Sequence, residues 1–282
     1  MSSAAALALL ISAVAFLSSG DSELCGSEFA QGAYESAFPY CEKACSQNDG
    51  AGCTRLGRLY DNGDGVKRDT TRAETYYEKA CSLNDVEGCN RLGVLYGYLK
   101  EDSSTKAKPY FEKACGLNDS SGCRFLGVLY AEGRGVERDN QQAKTYYEKA
   151  CSQNDGMGCA YLGGLYRIVK HDYQQAKTYL EKSCSLLNDG VGCASLGVLY
   201  EEGRGVKQDY TQAKTYYEKS CNLDEGIGCF GLGDLYYNGY GVEQNKKVSR
   251  EYCRKACDLG FKEGCSKASL IWGELLVKGE AD

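Results

Sequence analysis

Seventeen cysteines in 282 residues are the largest stock of reactive side chains in the chain, and their spacing decides between metal binding and disulfide formation. They fall into C-x7-C pairs: Cys45 with Cys53, Cys81 with Cys89, Cys115 with Cys123, Cys151 with Cys159, Cys221 with Cys229 and Cys257 with Cys265. Cys184 and Cys193 stand one residue further apart because of an inserted Leu. Structural zinc sites favour closer pairs and gather ligands in fours. Here no C-x-x-C occurs and the single histidine, His171, stands alone, so neither a metal nor another cofactor is expected. Serine chemistry of the β-lactamase kind needs S-x-x-K supported by S-D-N and K-T-G. Ser103 and Lys106 form the one S-x-x-K, the other two elements are missing, and Lys144-Thr145 and its copies run on into Tyr. At the start of a helix, Ser caps and Lys faces solvent by default. No motif points at His171 as the base of a triad.

The elements that carry the cysteines repeat. AETYYEKACSLND, AKTYYEKACSQND and AKTYYEKSCNLDE begin at Ala73, Ala143 and Ala213, and LG-x-LY recurs at Leu56, Leu92, Leu126, Leu162, Leu196 and Leu232. Such a period marks a stacked array. Each unit reads as two helices. In the first, Cys53, Leu56, Gly57, Leu59 and Tyr60 make an apolar helical stripe, and in the second Ala73, Tyr76, Tyr77 and Ala80 do. Gly inside a helix costs about 1 kcal/mol against Ala, so its return at Gly93, Gly127, Gly163, Gly197 and Gly233 predicts close packing, with Ala73, Ala143 and Ala213 as the small partners. Gly-x-Gly-Val turns at Gly63, Gly133, Gly203 and Gly239 end the first helices. Asp69, Asp139, Asp209 and Asp172 cap the second ones, with Gln142, Gln212 and Gln175 as capping-box partners. The copies around Tyr98 and Ile168 lack the turn and should form tighter hairpins.

In this frame each C-x7-C joins the end of a second helix to the start of the next first helix, close enough for a disulfide and contributing about 2.5 kcal/mol of chain entropy per bridge. Cys25, Cys41 and Cys253 remain. Cys41 and Cys253 both stand at the site of the second Tyr, and Cys25 lies on the first helix of an opening hairpin, which makes Cys25–Cys41 an eighth bridge. Cys253 is left as a buried free thiol, or as the donor of an intermolecular disulfide.

The compartment follows from the N-terminus. Residues 4–17 are apolar or small, followed by Ser18-Ser19-Gly20 and Asp21, which resembles a signal peptide cleaved after Gly20. Retention of 1–20 would instead make a membrane-anchored form. No other segment could cross a bilayer, so none is expected in the mature chain. With 33 basic and 39 acidic side chains interspersed and a net charge of -6, no nucleic acid is expected as partner.

The string G-C-x3-LG-x-LY, then G-x-G-V, then D-x3-A-x2-YYEKAC, resembles the Sel1-like repeat, and the paired cysteines bring it close to the Helicobacter cysteine-rich proteins. The resemblance spans residues 34–272. It implies an all-α, right-handed superhelical solenoid of disulfide-stapled αα-hairpins, TPR-like in plan, secreted and engaged in host or cell-surface interaction. Expected boundaries are a signal peptide at 1–20, an opening partial repeat at 21–52, six repeats over 53–264 and a capping helix over 265–282, where Ala268, Ser269 and Trp272 replace Leu, Gly and Tyr. Some relatives are described as penicillin-binding proteins or weak β-lactamases, which the resemblance alone offers as the alternative, a hydrolase. A further setting for related repeats is the mitochondrial intermembrane space.

Packing positions repeat, whereas ligand positions need not, so differences between copies locate a binding face. On the first helices these are Arg55, Arg58, Arg91, Arg124, Phe125, Tyr161 and Phe230. A concave face lined this way is cationic near its N-terminal end and aromatic further along. It suits a protein or extended peptide, with Arg on carboxylates and aromatics on apolar side chains.

Overall fold

The computed structural model describes residues 20–99, 104–278 and 280. Every regular element among them is helical, and they divide into two compact units, one ending at Asp139 and the other beginning at Asn140. The first unit holds α1 (20–30), α2 (Tyr34–Ser46), α3 (Gly50–Asn62), α4 (Thr70–Ser82), α5 (Val86–Val94), α6 (Ala107–Gly116) and α7 (Ser120–Glu132). The second holds α8 (Asn140–Ser152), α9 (Gly156–Leu165), α10 (Tyr173–Glu181), α11 (Gly190–Glu202), α12 (Tyr210–Asn222), α13 (Gly226–Asn238), α14 (Lys246–Asp258) and α15 (Lys262–Lys278). Within each unit consecutive helices pack as hairpins, so each is an all-α array of disulfide-stapled αα-hairpins. Residues 1–19 of the expected signal segment (1–20) and Ser103 lie outside the described residues. Asp21, just past the expected cleavage point, is buried and held by Lys43 at 2.9 Å.

The junction between repeats is made by two adjacent residues. Asn48, Asn84, Asn118, Asn154 and Asn188 take a positive φ, which Asn tolerates better than most side chains, and so end the second helix. The Asp that follows caps the next first helix: Asp49 accepts from the Ala51 N–H, and Asp85, Asp119, Asp155 and Asp189 accept from Gly88, Gly122, Gly158 and Gly192. Only the caps of the second helices were legible as motifs; there Asp69 and Asp209 accept from two backbone N–H groups each, and Asp172 from one. The disulfides close the same junctions. Seven bridges, Cys45–Cys53 through Cys257–Cys265, join helix end to helix start, and Cys25–Cys41 ties α1 to α2, with Cα separations of 4.5–4.8 Å.

A second staple runs between successive second helices. The Lys of the EKAC string donates to the carbonyl of the cysteine that ends the preceding second helix: Lys79 to Cys45 at 2.6 Å, Lys182 to Cys151 and Lys219 to Cys184 at 2.7 Å, and Lys255 to Cys221 at 3.0 Å. The Cys45, Cys151 and Cys221 carbonyls also accept from the backbone N–H three residues on, and as part of the negative end of the helix dipole they attract an ammonium.

Two expectations change in detail. The glycine of LG-x-LY meets the backbone of the small Ala and, more closely, the side chain four residues on: a Cβ on Gly57 would stand 3.3 Å from the Ala73 carbonyl oxygen and 2.6 Å from Tyr77, one on Gly93 2.5 Å from Phe111, and one on Gly197 2.5 Å from Tyr217. Nor are both tyrosines of YYEKAC core. Tyr77 and Tyr217 are buried, whereas Tyr76, Tyr110, Tyr179, Tyr216 and Tyr252 are half-buried and stack on the LG-x-LY tyrosines Tyr60, Tyr96, Tyr166, Tyr200 and Tyr236, with centroids 5.5–5.7 Å apart. Where the Gly-x-Gly-Val turn is missing, the first helix ends in a π-turn, Leu95–Leu99 or Tyr166–Lys170, and His171 supplies the positive φ of 51° that glycine supplies elsewhere. The inserted Leu is absorbed by a third π-turn, Lys182–Leu186, which leaves Leu186 exposed. A π-turn takes in one extra residue without breaking the helix.

Candidate binding face

In the unit ending at Asp139, the cationic residues named from the sequence lie on α3, α5 and α7. Arg58 on α3 has its guanidinium 4.6 Å from the Phe29 ring centroid and 3.4 Å from the Glu87 carboxylate of α5. Arg91, one turn along α5, reaches the same Glu87 oxygen at 3.2 Å. Arg58 and Arg91 are thus brought together by one carboxylate, and the Tyr77 hydroxyl feels both of them together with Glu87 and Asp61. Arg55, half-buried, lies beside Gly26 of α1. Arg124 covers the ring of its neighbour Phe125 at 4.5 Å, and Phe125 stacks on the core ring Phe111 at 4.9 Å.

Two positions that varied between copies belong to the repeat junction. Thr54 is buried and donates to Asp85 at 2.6 Å, and Asn90 donates to Asp119 at 2.7 Å. Each ties one first helix to the cap of the next. Variation at this position is therefore partly structural, a signal that copy-to-copy comparison cannot separate from ligand contact.

In the unit beginning at Asn140, Tyr161 on α9 and Phe230 on α13 are half-buried. One ring face of each is spent internally, Tyr161 on Tyr147 at 5.5 Å and Phe230 on Phe261 at 5.2 Å. The residue that sequence reasoning missed is Glu201 on α11. The Tyr217 ring crosses the α11 backbone at Gly197, and its hydroxyl donates to Glu201 at 2.5 Å. Burial raises the Glu201 carboxyl above the ordinary glutamate range, partly opposed by that hydrogen bond. Asp61 stands in the same relation to Tyr77, whose hydroxyl burial also pushes up.

Lys106 lies in a 3-10 turn, Ser104–Lys106, with its ammonium 5.5 Å from the Tyr96 ring centroid. Cys253 is buried against Ala268, Ile271 and Leu275, and burial pushes its thiol up to about 11. Among the described residues no group of three or more His, Cys, Asp or Glu is placed to hold a metal ion.

Comparison with known proteins accounts for this repetition. The family described as the Sel1 repeat matches residues 50–85, 86–119, 120–155, 156–186, 190–225 and 226–261. No curated protein matches the chain. Among solved structures, a Sel1 repeat protein from Oxalobacter formigenes is 28% identical and aligns with a TM-score of 0.73, covering 84% of this chain and 98% of that one. A protective antigen present in uropathogenic Escherichia coli strains is 23% identical with a TM-score of 0.71 over 86% of this chain, which spans 53% of that protein's length. Helicobacter pylori cysteine rich protein B is 41% identical over 46% of this chain and 94% of its own, with a TM-score of 0.38. The six matched segments take in most of the chain and run from cap to cap along the hairpins described above: the chain belongs to the Sel1 repeat family.

Proposed function

We propose that the chain is a rigid interaction scaffold, secreted or periplasmic, that holds a protein or an extended peptide against its first helices. The compartment is supported by eight disulfides, a number that calls for an oxidising environment. No helix among the described residues is long and apolar enough to cross a membrane. Interaction is the general use of stacked helical repeats, whose neighbouring units present one continuous surface.

The observation that carries the reading is Arg58 and Arg91 converging on the single Glu87. Three repeated devices, the aspartate caps, the disulfides and the lysine staples, account for stability, and this cationic group belongs to none of them. A carboxylate-bearing segment laid across α3 and α5 would meet both guanidinium groups, with Arg124 and Phe125 on α7 offering a cation beside an apolar ring face.

The test starts from a displayed library of random peptides selected on the oxidised protein. Arg58→Glu with Arg91→Glu should weaken the selected peptides at least tenfold, about 1.4 kcal/mol or more. Glu78→Lys, exposed on the second helix α4, should leave them unchanged. Equal binding by the double variant, or loss with Glu78→Lys, contradicts the reading.

A further inference from the structure

Four successive second helices, α6, α8, α10 and α12, carry a neutral charge pair that the last one lacks, as do α2 and α4. Seven and three residues before the helix cysteine, Lys108–Glu112, Lys144–Glu148, Lys177–Glu181 and Lys214–Glu218 form ion pairs one turn apart, at 3.1–3.5 Å. In α14 the same positions hold Arg250 and Arg254. Neither forms an ion pair among the described residues, and like charges one turn apart on a helix repel. Arg250 lies over the Trp272 ring at 4.0 Å, with its Nε buried and unpartnered, while Arg254 is exposed.

Earlier hairpins of the same unit show what this position faces. Lys182, Lys219 and Lys255 dock each second helix on the end of the one before. The half-buried Tyr179, Tyr216 and Tyr252 then lie close enough to the preceding Lys–Glu pair to feel both of its charges. Arg250 and Arg254 therefore face the seat of a further second helix, and among the described residues none follows α15. The seat is an open groove of about 320 Å³ between α14 and α15. Ser269 stands at the glycine position of LG-x-LY and Trp272 at its tyrosine position. Leu276, one turn beyond Trp272 on the same face, is 55% exposed.

We propose that this groove seats an amphipathic helix of a partner protein, with carboxylates one turn apart on Arg250 and Arg254 and apolar side chains over Trp272 and Leu276. Charge complementarity selects the occupant. Neither arginine forms an ion pair among the described residues, and the one acidic side chain lining the groove is Asp258, one turn beyond Arg254, so the lining keeps a surplus positive charge. A second copy docking the same groove about a two-fold axis would bring two grooves of the same surplus charge together, which repel. None of the first-helix residues assigned to peptide binding lines this groove, so the two sites are tested separately.

Trp272 is the one tryptophan of the chain, so its emission reports on the groove directly. The full oxidised chain is titrated with an alanine-rich helical peptide of about 16 residues bearing two Glu one turn apart beside Leu. A matched peptide carrying Lys in place of the Glu is the control. The proposal expects a saturable change in Trp272 emission with the Glu peptide, none with the Lys peptide, and at least tenfold weaker binding by Arg254→Glu. That side chain is exposed, and circular dichroism checks that the variant keeps its fold. Equal responses to both peptides, or no effect of Arg254→Glu, would overturn it. So would sedimentation showing self-association that Arg254→Glu abolishes, because the groove would then join two copies.

Discussion

The ring of Tyr77 lies flat against the backbone of Gly57, so close that a Cβ at Gly57 would stand 2.6 Å from Tyr77 Cε1 and 2.7 Å from Cδ1. This contact fixes how first and second helix of a hairpin approach each other, and it recurs with Phe111 on Gly93 and Tyr217 on Gly197. It also lets the phenol cross the first helix and emerge beside Asp61 or Glu201.

Gly57→Ala sets two effects against each other. Helix propensity favours Ala by about 1 kcal/mol, and overpacking against a buried ring costs about 1–3 kcal/mol. Both Tyr77 and the Ala73 backbone hem the site in, so the clash should win and urea denaturation of the oxidised protein should show a less stable variant. A gain in stability would mean that the helices can separate freely.

Lys219→Met removes the ammonium that satisfies the Cys184 carbonyl while keeping most of the apolar stem. The loss of one charge-assisted hydrogen bond should cost about 1.5–3 kcal/mol. An unchanged denaturation midpoint would show that solvent serves this helix end as well as the lysine does.

Thiol titration separates Cys253 from the rest. The unfolded, unreduced protein should react at one thiol per chain, that of the single free cysteine. In the folded protein Cys253 should react slowly even at pH 8, because it is buried and its thiol is pushed up to about 11. Gly233 faces its sulfur, with a Cβ position 2.6 Å away. Gly233→Cys should therefore close a ninth disulfide, the counterpart at α13–α14 of Cys25–Cys41 at α1–α2, and abolish the free thiol. Two reactive thiols in that variant would contradict the packing.

Glu201 makes stability depend on pH. Burial raises its folded pKa above the ordinary glutamate value, so the folded state holds its proton more tightly than the unfolded state. Stability from this residue is then greatest below about 4.5 and falls as pH rises through the raised pKa. Glu201→Gln keeps an acceptor for Tyr217 without the buried charge. It should be at least as stable as the parent at pH 7, and this advantage should disappear at pH 4. A variant that is less stable than the parent at pH 7 and recovers in acid would contradict the linkage, as would a pH-independent difference.

Much of the fold could be read from the chain because the array repeats its packing residues. The spacing of the cysteines, the LG-x-LY stripe and the turn glycines each impose a local geometry whose period is visible without coordinates. Two classes of residue resisted. The Asn-Asp junctions sit in plain view after the first five of the bridged second-helix cysteines, Cys45 to Cys184, but a cap is recognisable only once the helix boundary is known. The EKAC lysines read as solvated surface, since their acceptor lies one repeat away. The candidate face was harder still. Thr54 and Asn90 vary between copies yet are bound to a neighbouring cap, and Phe125, Tyr161 and Phe230 each pack on another ring of their own unit. The cationic group at Arg58 and Arg91 could be named from the sequence, but its sharing of Glu87 could not, because that depends on how α3 lies beside α5.

The most direct test of the scaffold reading is amide hydrogen exchange, followed by mass spectrometry, on the oxidised protein with and without a selected peptide. The account predicts added protection on first-helix segments, foremost in α3, α5 and α7, and loss of that protection when the disulfides are reduced. Protection confined to the second helices, or unchanged after reduction, would contradict it.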